Sequence, residues 1–168
     1  VLKRAADAVR HGDRIYGLIC GWGLSNDRNG NLLAPAVEGQ LRAMRDAYKL
    51  AGWQPTDVDL IECHATGTPV GDAVEYESLR QLWGNSGWKP GQCAIGSVKS
   101  TVGHLLTGAG TAAIAKILLA MRTKTLPPQA NFESPNGGLA DYENGPFSVL
   151  QESREWAYRA AARPLRAA

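Results

Sequence analysis

The sequence is 168 residues long, 44% hydrophobic and 20% charged, which supports one folded domain and excludes a disordered or low-complexity chain. Its 18 Lys and Arg against 16 Asp and Glu leave a net charge of +2, too even for the clustered basic surface of a nucleic-acid binder. The three cysteines, Cys20, Cys63 and Cys93, form no CxxC pair, which argues against a zinc ribbon or disulfide framework and for a reducing, cytoplasmic setting.

In chain order, Leu2, Ala5, Ala6 and Val9 share one helical face, and Gly12 closes that turn. With Lys3, Arg4, Asp7, Arg10 and His11 interspersed, the segment reads as the interior of a protein, not a secretory leader. Ile15 to Trp22 is apolar and β-rich and predicts a strand, followed by a polar loop from Ser25 to Ala34. Pro35 opens a helix running to Leu50, with Val37, Leu41, Met44, Ala47 and Tyr48 as its apolar stripe. Val58 to Cys63 predicts a short strand that enters the glycine-bearing loop His64 to Asp72, and a helix follows from Ala73 to Trp83.

After the loop Gly84 to Gly91, a strand is expected over Cys93 to Val98, then a polar run Lys99 to His104. Leu105 to Met121 is the most apolar stretch, but it carries Lys116 and falls short of the roughly 20 residues that span a bilayer. It predicts a buried helix. Pro127 and Pro128 end regular structure there, because proline lacks the N–H donor and restrains the residue before it. Asn131 to Gly145 reads as irregular, Pro146 to Leu150 as a last strand, and Gln151 to Ala168 as strandless. Strands alternating with helices predict an α/β layer fold, and the small number of strands suggests a piece of a larger domain.

His64 and His104 both sit beyond predicted strands, where sites form in α/β sheets. Glu62, Lys99 and Asp72 accompany them, and Lys99 with Glu62 is a candidate charge pair for orienting the imidazoles. A structural reading, in which each histidine caps or fills a niche, stands beside the catalytic one. Thr66 and Thr68 would point the same way if their segment is extended and so hold an amide-rich arm, although hydroxyls of this kind also stabilise turns. Gly108 and Gly110 are costly inside a helix, which suggests close packing by another element. Cys63 abuts His64, yet neighbours on an extended strand face opposite ways, so a buried strand cysteine is the better reading than a Cys–His dyad. Neither nucleotide-loop signature, G-x-x-x-x-G-K-[ST] nor G-x-G-x-x-G, occurs.

The run Glu62-Cys63-His64-Ala65-Thr66-Gly67-Thr68-Pro69-Val70-Gly71-Asp72 resembles the first histidine motif of β-ketoacyl synthases. Val98-Lys99-Ser100-Thr101-Val102-Gly103-His104 with Gly108-Ala109-Gly110 resembles the second, forty residues on. Asp13-Arg14-Ile15-Tyr16, Ser25-Asn26-Asp27, Leu126-Pro127-Pro128 and Asn131-Phe132 are similar to the type I or modular polyketide synthase branch, with polyunsaturated fatty acid synthases beside it. The resemblance implies a thiolase-like α-β-α-β-α sandwich, of which residues 1–168 would be the C-terminal half. It also implies a decarboxylative Claisen condensation of malonyl-acyl carrier protein with an acyl thioester.

In that scheme His64 and His104 are the catalytic histidines, Lys99 organises the site, and Thr66 and Thr68 bind the phosphopantetheine arm. The domain itself would bind no cofactor and no metal. Its partners would be the nucleophile-bearing first half, an acyl carrier protein, and a second copy in a homodimer or a chain-length-factor-like subunit; neither nucleic acid nor a membrane span is implied. The family's nucleophilic cysteine and its closing glycine-rich strand match nothing in this sequence, so the chain alone is expected to be inactive. Ala65 stands where glycine is common and Thr101 where asparagine is common, while Ala113 takes a position where single-domain members often carry glutamate. The alternative implied is a non-condensing relative, chain-length-factor-like or decarboxylating, that binds acyl chains and carrier protein.

Overall fold

A computed structural model describes residues 1–26, 35–135, 139, 142–158 and 163–168. The described helices are α1 (Ala5–Arg10), α2 (Val37–Ala51), α3 (Pro69–Trp83), α4 (Lys99–Val102) and α5 (Ala109–Thr123). The strands are β1 (Leu60–Glu62), β2 (Cys93–Gly96), β3 (Thr125–Leu126), β4 (Phe147–Ser148) and β5 (Arg154–Glu155). None of these helices is long and apolar enough to cross a membrane.

β1, β2 and β4 form a parallel sheet, with Leu60 opposite Ala94, Glu62 opposite Gly96, and Cys93 opposite Phe147. Side-chain alternation splits this sheet into two buried faces. Ile61, Cys63 and Cys93 turn toward Tyr48 of α2 and Tyr76, Leu79 and Trp83 of α3. Leu60 and Ala94 turn the other way, onto Ala120 of α5, Leu126 and Trp156. Phe147 sits edge-on to Trp83 and Tyr76, at 5.1 and 5.9 Å between ring centroids, the favoured geometry for aromatic pairs. Helices on both faces of a parallel sheet are the α/β layering expected.

The outer edge of β1 is closed by residues 166–168. Asp59 and Glu62 donate N–H groups to the carbonyls of Arg166 and Ala168, and Ala168 donates to Leu60. Arg163 and Arg166 both pair with the carboxylate of Asp57 at 3.0 Å, anchoring this cover. The expectation of no strand after Gln151 is therefore corrected: β5 pairs antiparallel with β3, and Ala167 bridges Leu60.

Other boundaries also differ. Ile15–Trp22, expected as a strand, belongs to no helix or strand ladder among the described residues, and Ile15, Leu18, Ile19 and Trp22 are exposed. Its glycines lie on helices instead: a Cβ on Gly21 or Gly23 would overlap the carbonyl oxygens of Ala47 and Ala43 in α2. One on Gly17 would come within 2.8 Å of Leu118 in α5. The apolar pattern of this segment reads as a strand but does not supply the neighbour that a ladder needs. Residues 27–34 of the expected loop, and residues 136–138 and 140–141 of the expected irregular stretch, lie outside the described residues.

α3 begins at Pro69, inside the expected loop, since proline at the first helical position loses no needed hydrogen bond. The polar run contains the short helix α4, and Leu106–Gly108 is a 3-10 turn ahead of α5. Gly108 and Gly110 thus occupy a helix start, where glycine costs little. Nothing described lies within 4 Å of a Cβ on Gly110, so the close-packing expectation does not hold there.

Candidate active site

β1 and β2 run side by side, and each releases a turn that bears one histidine. Cys63 still donates to the Gly96 carbonyl at 2.7 Å, and then the chain leaves the ladder. His64 and Ala65 donate their backbone N–H groups to the two carboxylate oxygens of Glu75, at 2.6 and 2.8 Å. Gly67 donates to Asp72 at 3.2 Å. Two carboxylates from the first turns of α3 therefore hold the His64 turn. Ala65 has φ +30° and Gly67 has φ +79°, so the segment is not extended, and the premise that aligned Thr66 with Thr68 fails. Both threonines are exposed, and Thr68 precedes α3 as its N-cap.

On the second turn, Ser97 donates its N–H to the Gln129 side chain at 2.8 Å and Val98 donates to Glu62 at 2.5 Å, which is why β2 stops at Gly96. α4 follows, Gly103 takes φ +76°, and His104 comes next. Its Nδ1 accepts the Leu106 N–H at 3.0 Å. A nitrogen that accepts cannot carry the proton, so the neutral ring is the Nε2–H tautomer, and no hydrogen bond from that donor is found among the described residues. The His64 and His104 rings meet edge to face at 5.5 Å between centroids, both exposed. The structure thus brings together the two histidines that sequence reasoning singles out.

The Lys99–Glu62 pair is not formed. Glu62 pairs instead with Lys116 of α5 at 2.7 Å, and among the described residues no carboxylate reaches the half-buried Lys99 ammonium. Two residues of the site escape sequence reasoning. Lys116 stands out in the sequence only as an interruption of an apolar helix. Glu75 lies three positions after Asp72, hence on the same helical face, a signal hidden when the helix is started at Ala73.

Cys63 is buried, and desolvation, followed by the negative charges of Glu75, Cys93 and Glu62, raises its thiol well above the ordinary range. A thiol held protonated is a poor nucleophile, which disposes of a Cys63–His64 dyad. Behind the His64 turn lies a cavity of about 240 Å³, bordered by Cys63, Ala65, Glu75, Tyr76, Ile95 and Phe132. Paired donors on strand ends are suited to stabilising an oxyanion that develops during reaction.

Residues 16–133 match the family described as Beta-ketoacyl synthase, C-terminal domain. Polyketide synthase PksL of Bacillus subtilis is 41% identical over 93% of this chain, and a polyunsaturated fatty acid synthase polypeptide of Thraustochytrium is 44% identical over 80%. The chain spans only 3% and 5% of those two proteins. The solved ketosynthase from module 6 of the bacillaene synthase of Bacillus subtilis superposes with a TM-score of 0.87 at 40% identity, covering 98% of this chain and 30% of that one. The layered α/β arrangement is that thiolase-like fold, and the chain belongs to the β-ketoacyl synthase C-terminal domain family.

Proposed function

We propose that this chain supplies the two-histidine half of a β-ketoacyl synthase within a polyketide or polyunsaturated fatty acid synthase. The observation that carries the proposal is the meeting of His64 and His104, with His104 Nδ1 occupied and its Nε2–H left without a partner among the described residues. In the reaction, the C–C bond to the malonyl carboxylate breaks and carbon dioxide leaves. The electron pair passes into an enolate whose oxygen the imidazole Nε2–H groups stabilise. The enolate carbon then attacks the acyl thioester carbonyl, and the thiolate leaves.

The acylated cysteine belongs to residues outside this chain: Cys63 and Cys93 are buried, and the exposed Cys20, like them, stands at no position that resembles the family's nucleophile motif. Residues 1–168 on this reading form the C-terminal portion of the domain. The nucleophile-bearing first half and a glycine-rich strand come from elsewhere in the protein. Lys99 contributes its charge to ordering the site, and Thr66 and Thr68 bind the phosphopantetheine arm of an acyl carrier protein. The domain holds no cofactor of its own, works as a homodimer in the cytoplasm, and the chain alone has no condensing activity.

The test is carbon dioxide release from malonyl-acyl carrier protein by the full-length protein, run beside acyl loading. His64→Ala and His104→Ala should each slow release by about 100-fold or more, the scale of losing one oxyanion donor, with loading less affected. Thr66→Ala and Thr68→Ala should mainly weaken carrier binding. Undiminished release in both histidine variants would return these residues to a structural role.

A further inference from the structure

Beyond the Cys63–Gly96 bond, no backbone ladder joins the two histidine-bearing turns among the described residues. The side chain of Glu62 takes over at that point. One of its oxygens accepts the Val98 N–H, at the start of α4, and the other takes Lys116 Nζ at 2.7 Å. Its side chain is 5% exposed and that of Lys116 16%, so the pair is largely withdrawn from water. Burying a charge is costly unless it is paired and hydrogen-bonded, and Lys116 with the Val98 N–H meets both needs. Gly96, opposite Glu62 in the ladder, lies beside the pair: a Cβ there would be in ordinary contact with Lys116 Nζ at 3.7 Å and would crowd Gln129 Oε1 at 2.7 Å. Glu62 stands two residues before His64, and the helix begun at Val98 delivers His104. One carboxylate, neutralised from α5, thus sets the spacing of both imidazoles.

We propose that Lys116 is a positioning residue of the condensing site, acting through Glu62 and the Val98 amide to keep His64 and His104 in register. This rests on the ketosynthase reading above. The Lys116 ammonium is engaged on Glu62, so its removal leaves acyl loading intact and shows in the decarboxylation step.

In the full-length protein, Lys116→Met should lower kcat for malonyl decarboxylation, counted per acyl-loadable site, by about 10- to 100-fold, as expected for ångström-scale misplacement of reacting groups. KM and loading stoichiometry should stay within about twofold, whereas a merely structural role would lower loading in parallel. The pair Glu62→Gln with Lys116→Met removes both charges while the introduced amide oxygen can still accept the Val98 N–H, and it should recover most of kcat. This double variant also serves if the single one folds poorly. Hydrogen exchange over residues 97–104 supplies a readout independent of turnover: it should quicken in Lys116→Met and recover in the double variant, with α3 unchanged. Unaltered per-site kcat, loss of loading in step with kcat, or unchanged exchange over 97–104 would each overturn the proposal. A wild-type protein that neither loads nor decarboxylates would defeat the ketosynthase reading instead, and the exchange experiment would still judge the Lys116 linkage.

Discussion

Glu75 offers the sharpest test of how the His64 turn is held. In Glu75→Gln one oxygen remains to accept a backbone N–H, while an amide NH2 group faces the other donor. The lost bond had a charged acceptor, worth about 1.5–3 kcal/mol, and the low end applies because the His64 bond is open to solvent. Ala65 adds to the demand, since an alanine in the left-handed region carries a cost of about 1–2 kcal/mol that the two bonds restrain. A net loss near 1.5 kcal/mol corresponds to about a tenfold fall in the population of the held turn. Amide exchange at His64 and Ala65, followed by NMR or mass spectrometry, should quicken by that factor, while exchange in β1 and β2 stays unchanged. Adding Ala65→Gly should restore most of the protection, because glycine takes positive φ without steric penalty. Unchanged exchange at His64 and Ala65 in Glu75→Gln, or no recovery with glycine at position 65, would refute the reasoning.

Three further outcomes follow from the packing. Gly23→Ala sets a Cβ onto the Ala43 carbonyl, so chemical denaturation should show a loss of about 1–3 kcal/mol, the usual range for overpacking. Burial raises the Cys63 thiol, so the unfolded chain releases that proton first as pH rises. Its contribution is complete below about pH 8.5 and is lost above it, and the fall in Tm between about pH 8 and 10 should flatten in Cys63→Ala. The isolated chain exposes Leu18, Ile19, Trp22, Leu24, Leu106 and Leu119, and should self-associate with concentration in sedimentation experiments; a monodisperse monomer would contradict this.

Much of the architecture is legible in the sequence because it rests on local periodicity. The stripe of α2, the apolar cores of β1 and β2, and the position of both histidines beyond strands all follow from side-chain alternation. What stays hidden depends on long-range partners. Ile15–Trp22 looks like a strand, but a ladder needs a neighbour that no local pattern supplies. Lys99 is a plausible mate for Glu62 by proximity in sequence to His104, yet α5 runs back over the sheet and presents Lys116 instead. The two-residue strands β3 and β5 are too short to show a period. Glu75 is lost through a boundary difference of four residues at the start of α3, where proline starts the helix inside a loop-like sequence.

The cover that residues 166–168 place along β1 has a kinetic meaning. Leu60 and Ala167 are over a hundred positions apart, and closing so long a loop costs about 4 kcal/mol in chain entropy before any contact repays it. Contacts of such range slow folding. During synthesis β1 can pair with β2 as soon as both have emerged, but its outer edge waits until Arg163 and Arg166 arrive to clasp Asp57. The strand that delivers His64 is therefore among the last parts of the sheet to be finished, and until then a partly built chain carries an open β1 edge on which a neighbouring nascent chain can pair.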